Sequence, residues 1–432
     1  MKRKAQLMLL FLILPFIKGS LFNWRYKKYI ISKNVKNNYK DSISGTVQCS
    51  EGYINQTLDH FDPLVKGSLQ QKYYVVNDFW KKPDGPVFLF IGGEGALSTY
   101  FLTDGLITEI AETHGALILG VEHRYYGESL NVDSLKLNNL QYLSSQQALA
   151  DLAEFHRVIS DKYSLGPNNT WICFGGSYAG DLSAWFRVKY PHLVYAAVAS
   201  SAPVRAVTNF EAYNDVVKTS LSDTTVGGSQ QCLSNISSAF KEIQLYLDNN
   251  SLDKLHKDFK LCSPLKSAND YAAFLSNLAD PIEGAVQYNT NGTSNSIGYI
   301  CKLISDAQGS PYERAIKLND DFLMATGADC LESSYLDMVQ MINDTNVNKT
   351  ASGVGERSWT YQTCTQFGFF QTCDNNTQCP FSSYMGLGLY LDMCRDVFGI
   401  SPNQVNASVN FTNLYYGSDT PKGTRIIFIN GY

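Results

Sequence analysis

The chain has 432 residues, of which 44% are hydrophobic and 17% are charged. This composition is typical of a globular protein with one large domain or two ordinary ones, and it excludes an intrinsically disordered chain. The net charge of −5 gives no basic surface of the kind that binds nucleic acid, so that class of function is excluded as well.

The first 20 residues have the pattern of a secretory signal peptide. Basic residues at 2–4 precede an apolar run at 5–17, and the small residues Gly19 and Ser20 suit a cleavage site. The apolar run is shorter than a membrane span needs, so we expect no stable membrane insertion after cleavage; an uncleaved anchor is the alternative. Residues 21–54 follow as a leader of unknown structure.

Ten cysteines and ten Asn-x-Ser/Thr sequons agree with a secretory route. In an oxidising compartment the cysteines are expected to form disulfides, whose connectivity the sequence alone leaves open. No histidine pair or cysteine–histidine spacing indicates a metal site, and we expect no cofactor. The candidate glycosylation sites are Asn55, Asn168, Asn235, Asn249, Asn291, Asn343, Asn348, Asn375, Asn406 and Asn410.

Residues 55–204 alternate between buried strands and amphipathic helices. Continuous apolar runs at 87–91, 116–121, 171–174 and 196–199 are typical of central parallel strands, which are covered on both faces. Helical periodicity fills the intervals between these runs. We therefore predict the first part of a parallel sheet with right-handed crossovers.

Residues 205–355 lose these strand runs and show helical periodicity instead. Ile236, Phe240 and Ile243, for example, share one helix face. We predict that this segment is a helical cap inserted between two strands of the sheet. Residues 356–432 then return to the core and contain one more strand run near the end.

A serine stands at a sharp turn between a predicted strand and a predicted helix. Gly175 lies two residues before Ser177, and Ala179 lies two residues after it, where the usual pattern has a second glycine. Such a turn exposes a serine hydroxyl for nucleophilic attack. The backbone N–H of Tyr178 is the first expected oxyanion donor, and that of Gly93, in a glycine-rich loop, is the second. The alternative is a tight strand–helix connection without catalysis.

The histidines offer no obvious base for this serine. In the fold that uses such turns, the acid and the histidine follow the serine in the chain. Only His192 and His256 follow Ser177, and neither lies where a base is expected. His123 precedes the serine, so we interpret it as a structural hydrogen-bonding residue.

Several segments together resemble one family of serine exopeptidases, that of lysosomal Pro-Xaa carboxypeptidase, dipeptidyl peptidase II and thymus-specific serine protease, with the greatest likeness to the last. The matching segments are 58–61, 91–95, 122–129, 143–151, 175–180, 199–204 and 359–364. The resemblance implies an α/β-hydrolase parallel-sheet core with an inserted helical cap and a Ser-Asp-His triad. It also implies exopeptidase action on short peptides, often near proline, in the lysosome or outside the cell, with a homodimer as one possible assembly.

The resemblance also implies a disulfide pattern. The implied pairs are Cys232–Cys301, Cys262–Cys330 and Cys364–Cys394. Apart from the resemblance, Cys373 and Cys379 lie close together in the sequence and are expected to form a local pair. Cys49 and Cys173 are then left unpaired, and Cys173 is expected to be a buried strand residue.

Two departures from the family pattern bear on function. Gln366 stands where relatives commonly carry glutamate, which weakens any expectation of a charged substrate contact there. Relatives also continue past residues 430–431 into an Asp-Pro-Trp segment and a later histidine. Ser177 is thus the one triad member that carries over, and we expect the 432-residue chain to be inactive. A non-catalytic secreted protein that binds peptides or a partner, and an esterase or lipase of the same fold, are the alternatives.

Overall fold

The computed structural model describes residues 47–431 apart from 291, 292, 294, 307, 348–350, 375 and 376. The predicted signal peptide and most of the leader lie outside the described residues. The same is true of the sequons at Asn291, Asn348 and Asn375.

A seven-stranded sheet forms the core of the described chain. Its strand order is β1-β2-β4-β3-β5-β6-β9, with β1, β2 and β4 paired antiparallel and the remaining neighbours paired parallel. A second, two-stranded sheet joins β7 to β8. The strands are β1 (Ser50–Thr57), β2 (Ser68–Val76), β3 (Val87–Ile91), β4 (Leu117–Val121), β5 (Trp171–Gly176), β6 (Ala196–Ser200), β7 (Val207–Asn209), β8 (Gly368–Phe370) and β9 (Ile426–Ile429).

Helices cover both faces of this sheet and form the segment between β7 and β8. The helices near the core sheet are α1 (Tyr100–Thr103), α2 (Leu106–His114), α3 (Leu137–Leu140), α4 (Ser145–Tyr163) and α5 (Tyr178–Lys189). The later helices are α6 (Glu211–Ser222), α7 (Gln230–Asp248), α8 (Leu252–Asp258), α9 (Ala268–Gln287), α10 (Ile297–Asp306), α11 (Pro311–Thr326), α12 (Tyr335–Asn343), α13 (Ala351–Gln362), α14 (Gly388–Phe398) and α15 (Pro402–Tyr416).

The central strands are buried because both of their faces are apolar. Every residue of β3 and β4 is buried. Val87, Leu89 and Ile91 pack with α4 and α5 on one face, whereas Phe88 and Phe90 pack with α1 and α2 on the other. The predicted fold class, an α/β-hydrolase sheet core with a helical insertion, is confirmed.

Two strands at one edge of the sheet were not predicted. β1 begins inside the predicted leader, and its burial alternates between exposed and buried positions. β2 pairs with β1 over residues 68–75 and, along its other side, with β4 over residues 73–76. Their polar, interrupted sequences lack the continuous apolar run that marks the central strands.

The helical segment has an apolar core of its own. Buried side chains from α7, α9, α10 and α11 form one cluster, which includes Phe240, Leu278, Ile304 and Leu318. Within the described ranges, no helix combines the length and apolar character that crossing a membrane requires.

Four disulfides are present: the three pairs that the resemblance implies and the local pair expected beside them. Cys232–Cys301 and Cys262–Cys330 cross-link the helical segment. Cys364–Cys394 and Cys373–Cys379 lie in the segment that returns to the sheet. Cys49 and Cys173 are free, and Cys173 is buried within β5.

Candidate active site

Ser177 lies at the corner between β5 and α5. Its φ of 60° and ψ of −134° put a non-glycine residue in a strained region of backbone space. Such strain persists only where the surroundings enforce it: the Ser177 N–H donates to the carbonyl of Ser200 at 2.8 Å, and the N–H of Asp181 donates to the Ser177 carbonyl at 3.0 Å. The turn therefore has the geometry that a nucleophilic serine needs.

Small neighbours make this corner possible. A Cβ on Gly175 would lie 2.0 Å from the carbonyl oxygen of Ala179, so no larger residue fits there. A Cβ on Gly93 would lie 3.3 Å from the Cβ of Ala179. The glycine loop thus packs directly against the turn, and the extra methyl group of Ala179 faces the missing side chain of Gly93.

The oxyanion donors occupy suitable places, although their role stays a prediction. Tyr178 is the first residue of α5, so its N–H is one of the backbone donors that a helix leaves without a partner of its own. The positive end of the helix dipole lies at the same point. Gly93 is the glycine that approaches Ala179, two residues past the nucleophile.

All six histidines lie in the described part of the chain, and none is hydrogen-bonded to the hydroxyl of Ser177. His123 contacts Tyr178 and the backbone of Arg124, and His60 pairs with Asp151 at 2.7 Å. The other four lie elsewhere: His114 ends α2, His156 packs against Trp171 from α4, His192 follows α5, and His256 is in α8. The interpretation of His123 as a hydrogen-bonding residue agrees with these contacts.

One carboxylate near the turn was missed by the sequence reasoning. Asp181, in the first turn of α5, is fully buried, and neither of its oxygens has a hydrogen-bond partner among the described residues. Burial, with a smaller contribution from the charge of Glu94, raises the pKa of Asp181 well above its usual value. This shift favours the neutral form of the carboxyl group, which is a poorer proton acceptor than a carboxylate.

Gln366 does not point to a substrate contact. Its side chain is buried, accepts a hydrogen bond from the N–H of Ser145 at 2.8 Å and donates one to Gln146 Oε1 at 2.8 Å. Through these hydrogen bonds, Gln366 connects the N-terminus of α4 to the segment that follows α13.

The described sequons differ in exposure. Six of them have exposed asparagines, at Asn55, Asn168, Asn249, Asn343, Asn406 and Asn410. The seventh, Asn235, is buried; its amide donates to the carbonyl of Ile304, and its oxygen accepts from Arg314. The folded chain therefore does not present Asn235 for glycosylation, because its amide is used inside the cap. Among the residues described, no group of three metal-ligating side chains converges.

Comparisons with known proteins show which proteins this chain is similar to. The profile of the serine carboxypeptidase S28 family matches residues 56–432. The human thymus-specific serine protease is 40% identical over 391 residues, covering 88% of this chain and 75% of that protein. The bovine lysosomal Pro-X carboxypeptidase is 28% identical over 396 residues, covering 89% and 77%. Among solved structures, the Pyrobaculum calidifontis esterase is 17% identical, with a TM-score of 0.30 over 48% of this chain and 59% of that one.

The family match includes the serine turn, the glycine loop packed against it and every described strand of the sheet after β1. Serine protease names among the relatives identify the chemistry of the family. This chain belongs to the serine carboxypeptidase S28 family and is, by that membership, a serine peptidase.

Proposed function

We propose that this protein belongs to a secretory or lysosomal route and that its fold serves the trimming of short peptides near proline through an acyl-enzyme on Ser177. The observation that carries the proposal is the enforced strain of Ser177 at the strand–helix corner, in a chain of this peptidase family. The proposed action near proline is taken from the name of one relative, the lysosomal Pro-X carboxypeptidase. The four disulfides support an oxidising compartment.

In the proposed reaction the Ser177 oxygen attacks the carbonyl carbon of the scissile peptide bond. The carbonyl oxygen becomes negative and is stabilised by the N–H of Tyr178 and by the N-terminal end of α5. The C–N bond breaks, and the amine leaves with the proton that Ser177 gave up. Water then attacks the ester carbon, releases the acyl group as an acid and returns a proton to the Ser177 oxygen. The helical cap would restrict access to the ends of short peptides.

The histidines that the structure describes do not supply a base for Ser177. None of the six histidines bonds to its hydroxyl, and loss of the triad histidine lowers kcat by about 10⁶ in a well-studied serine protease. We therefore propose that the 432-residue chain does not turn over peptides at an ordinary rate.

A fluorophosphonate probe tests the nucleophile. We expect slow covalent labelling that maps to Ser177 by peptide mass spectrometry and disappears in Ser177→Ala. Ser183→Ala is the matched control, because Ser183 is another buried serine, on the helix that follows Ser177, and its loss should leave labelling intact. Labelling that persists in Ser177→Ala would contradict the assignment, and ordinary hydrolysis of a proline-containing peptide by the 432-residue chain would contradict the absence of a base.

The second candidate is a peptide-binding protein without turnover. It is favoured by one observation, that the hydroxyl of Ser177 has no histidine partner in the described chain. Calorimetric titration with a proline-containing peptide distinguishes the two. Binding without labelling of Ser177 supports the binding protein, whereas labelling of Ser177 supports the peptidase.

A further inference from the structure

The side chain of Tyr178 runs into the core directly behind the nucleophile turn. Tyr178 is fully buried, and its hydroxyl lies 2.9 Å from His123 Nε2 and 3.0 Å from Gln362 Nε2. Its ring also packs against Trp359 and Phe367, at centroid distances of 5.6 and 5.0 Å. The residue that offers the proposed oxyanion N–H is thus held at both its ring and its hydroxyl.

These contacts form a chain of hydrogen bonds with one consistent direction. The Nδ1 of His123 lies 2.6 Å from the carbonyl of Arg124, which can only accept, so Nδ1 carries the proton and Nε2 accepts from Tyr178. Gln362 donates through its NH₂ group to Tyr178, and its Oε1 accepts from the hydroxyl of Tyr126 at 2.5 Å. Burial lowers the pKa of His123 to about 4, which keeps the ring neutral and able to accept.

The chain of hydrogen bonds joins three parts of the sequence that lie far apart. His123 and Tyr126 come from the loop after β4, Tyr178 from α5, and Gln362 from the last position of α13. Helix α13 is the first helix of the return from the cap, and a π-helical turn, Thr363–Phe367, follows it. Turns of this kind are frequent near functional sites. A second bond, from Ser358 Oγ to the carbonyl of Tyr125, ties the same helix to the same loop.

We propose that Gln362 is a positioning residue for the oxyanion donor, because its hydrogen bond to Tyr178 fixes the first N–H of α5. The packing of α13 on the core then determines the geometry of the oxyanion site. The inference rests on the proposed function of Ser177. It follows from geometry, because the Tyr178 side chain and the Tyr178 N–H share one Cα and the side chain is held from two directions. A small shift of an oxyanion donor lowers reactivity strongly, since the donor must lie within hydrogen-bond distance of the forming charge.

Two variants break the chain of hydrogen bonds at separate points, and one matched variant does not. Gln362→Met removes both hydrogen bonds at similar volume, and Tyr178→Phe removes the central hydroxyl. Tyr125→Phe is the control, because it deletes a buried hydroxyl of the same loop that donates instead to the carbonyl of Asn139 at 2.7 Å. The first two variants each lose two hydrogen bonds and Tyr125→Phe loses one, so labelling rates are compared under conditions where all three variants are fully folded.

The first readout is the rate at which a fluorophosphonate labels Ser177, since the phosphoryl oxygen of the probe must occupy the oxyanion site. We expect Gln362→Met and Tyr178→Phe to slow labelling at least tenfold and Tyr125→Phe to stay within twofold of the original protein. His123→Gln, which keeps an acceptor or donor near the Nε2 position, should retain more labelling than His123→Leu. Equal rates in all variants, or an equal loss in the control, would overturn the proposal.

The second readout does not depend on reactivity. Hydrogen exchange measured by mass spectrometry on the peptide covering residues 177–184 reports the mobility of the turn. We expect faster exchange there in Gln362→Met and Tyr178→Phe than in Tyr125→Phe at equal global stability. If the original protein is not labelled at all, the proposed function fails while exchange still decides the positioning role. Unchanged exchange in both of these variants would refute it.

Discussion

The sheet core around Ser177 and the helical cap are held together by different means. In the core, Arg124 and Asp151 are both fully buried and paired at 2.6 Å, and no disulfide joins residues 47–204. In the cap, apolar helices form the interior, and Cys232–Cys301 and Cys262–Cys330 cross-link it. Both regions have an apolar interior, to which the first part of the core adds a buried ion pair and the cap adds two disulfides.

The largest effect is expected at the buried ion pair of the core. Burial alone would raise the pKa of Asp151, but the charge and hydrogen bonds of Arg124 lower it. Arg124→Met leaves that carboxylate buried without its main partner and also removes hydrogen bonds to three backbone carbonyls. We expect the free energy of unfolding, measured by urea titration, to fall by about 5 kcal/mol.

The control for this substitution is an arginine on the surface. Arg157 pairs with Glu154 and Asp161 on the exposed side of α4. Exposed pairs add little to stability, so Arg157→Met should leave the urea midpoint unchanged. Equal losses in the two variants would show that burial of the ion pair does not distinguish the core.

Removal of a cap disulfide comes next. The Cys262–Cys330 bond spans 68 residues, so replacing both cysteines by serine should lower the free energy of unfolding of the cap by about 4 kcal/mol. The Cys373–Cys379 bond spans 6 residues, and its loss should cost about 2 kcal/mol. Hydrogen exchange should locate the first loss in the cap and leave the strands of the sheet protected. If hydrogen exchange rose equally in the cap and in the sheet of this variant, the disulfide would not stabilise the cap specifically.

A third test uses pH. The unfolded His123 ring binds a proton below about pH 6.5, whereas the folded ring does so only below about pH 4. The folded state therefore loses stability as the pH falls between these values, by about 3 kcal/mol in total. Burial raises the pKa of Asp181, so this carboxyl group stabilises the folded state as the pH falls, which is opposite to the effect of His123. The effect of Asp181 is present both in the original protein and in a variant at His123.

The contribution of His123 is therefore obtained by comparing how much stability the original protein and His123→Gln each lose in acid. Urea titrations at pH 7 and pH 4 should show a larger acid loss in the original protein by about 3 kcal/mol, because the variant has no ring to titrate. The same acid loss in both proteins would contradict a neutral, buried His123.

The smallest effect is expected at a helix cap in the inserted region. Ser267 Oγ accepts from the N–H of Asp270 at the start of α9. Ser267→Ala should lower the stability of the cap by about 1 kcal/mol in the same assay. Ser238→Ala, at an exposed position inside α7, should change it by less than about 0.5 kcal/mol. A larger loss at Ser238 would show that the capping bond is not the cause.

The sequence could reveal the central strands and the serine corner because each has a local pattern. The apolar run at 87–91 and the small residues around Ser177 are such patterns, and both predict their structure correctly. Contacts between distant residues leave no such pattern. Tyr178 meets His123 across 55 positions and Gln362 across 184, and nothing in the sequence links them. Asp181 was missed for a related reason: an acidic residue in the first turn of a helix is usually exposed, and only the fold buries it.

The position of β9 has a consequence for how the chain folds. Ile426 pairs with Ala197, so β9 joins its neighbour β6 only after the ribosome has delivered the whole cap. Closing so distant a contact is slow, since the ordering entropy of the intervening chain has to be overcome before the contact forms. We expect the earlier strands and the cap to collapse first, and docking of β9 onto β6 to be the late, rate-limiting step of folding.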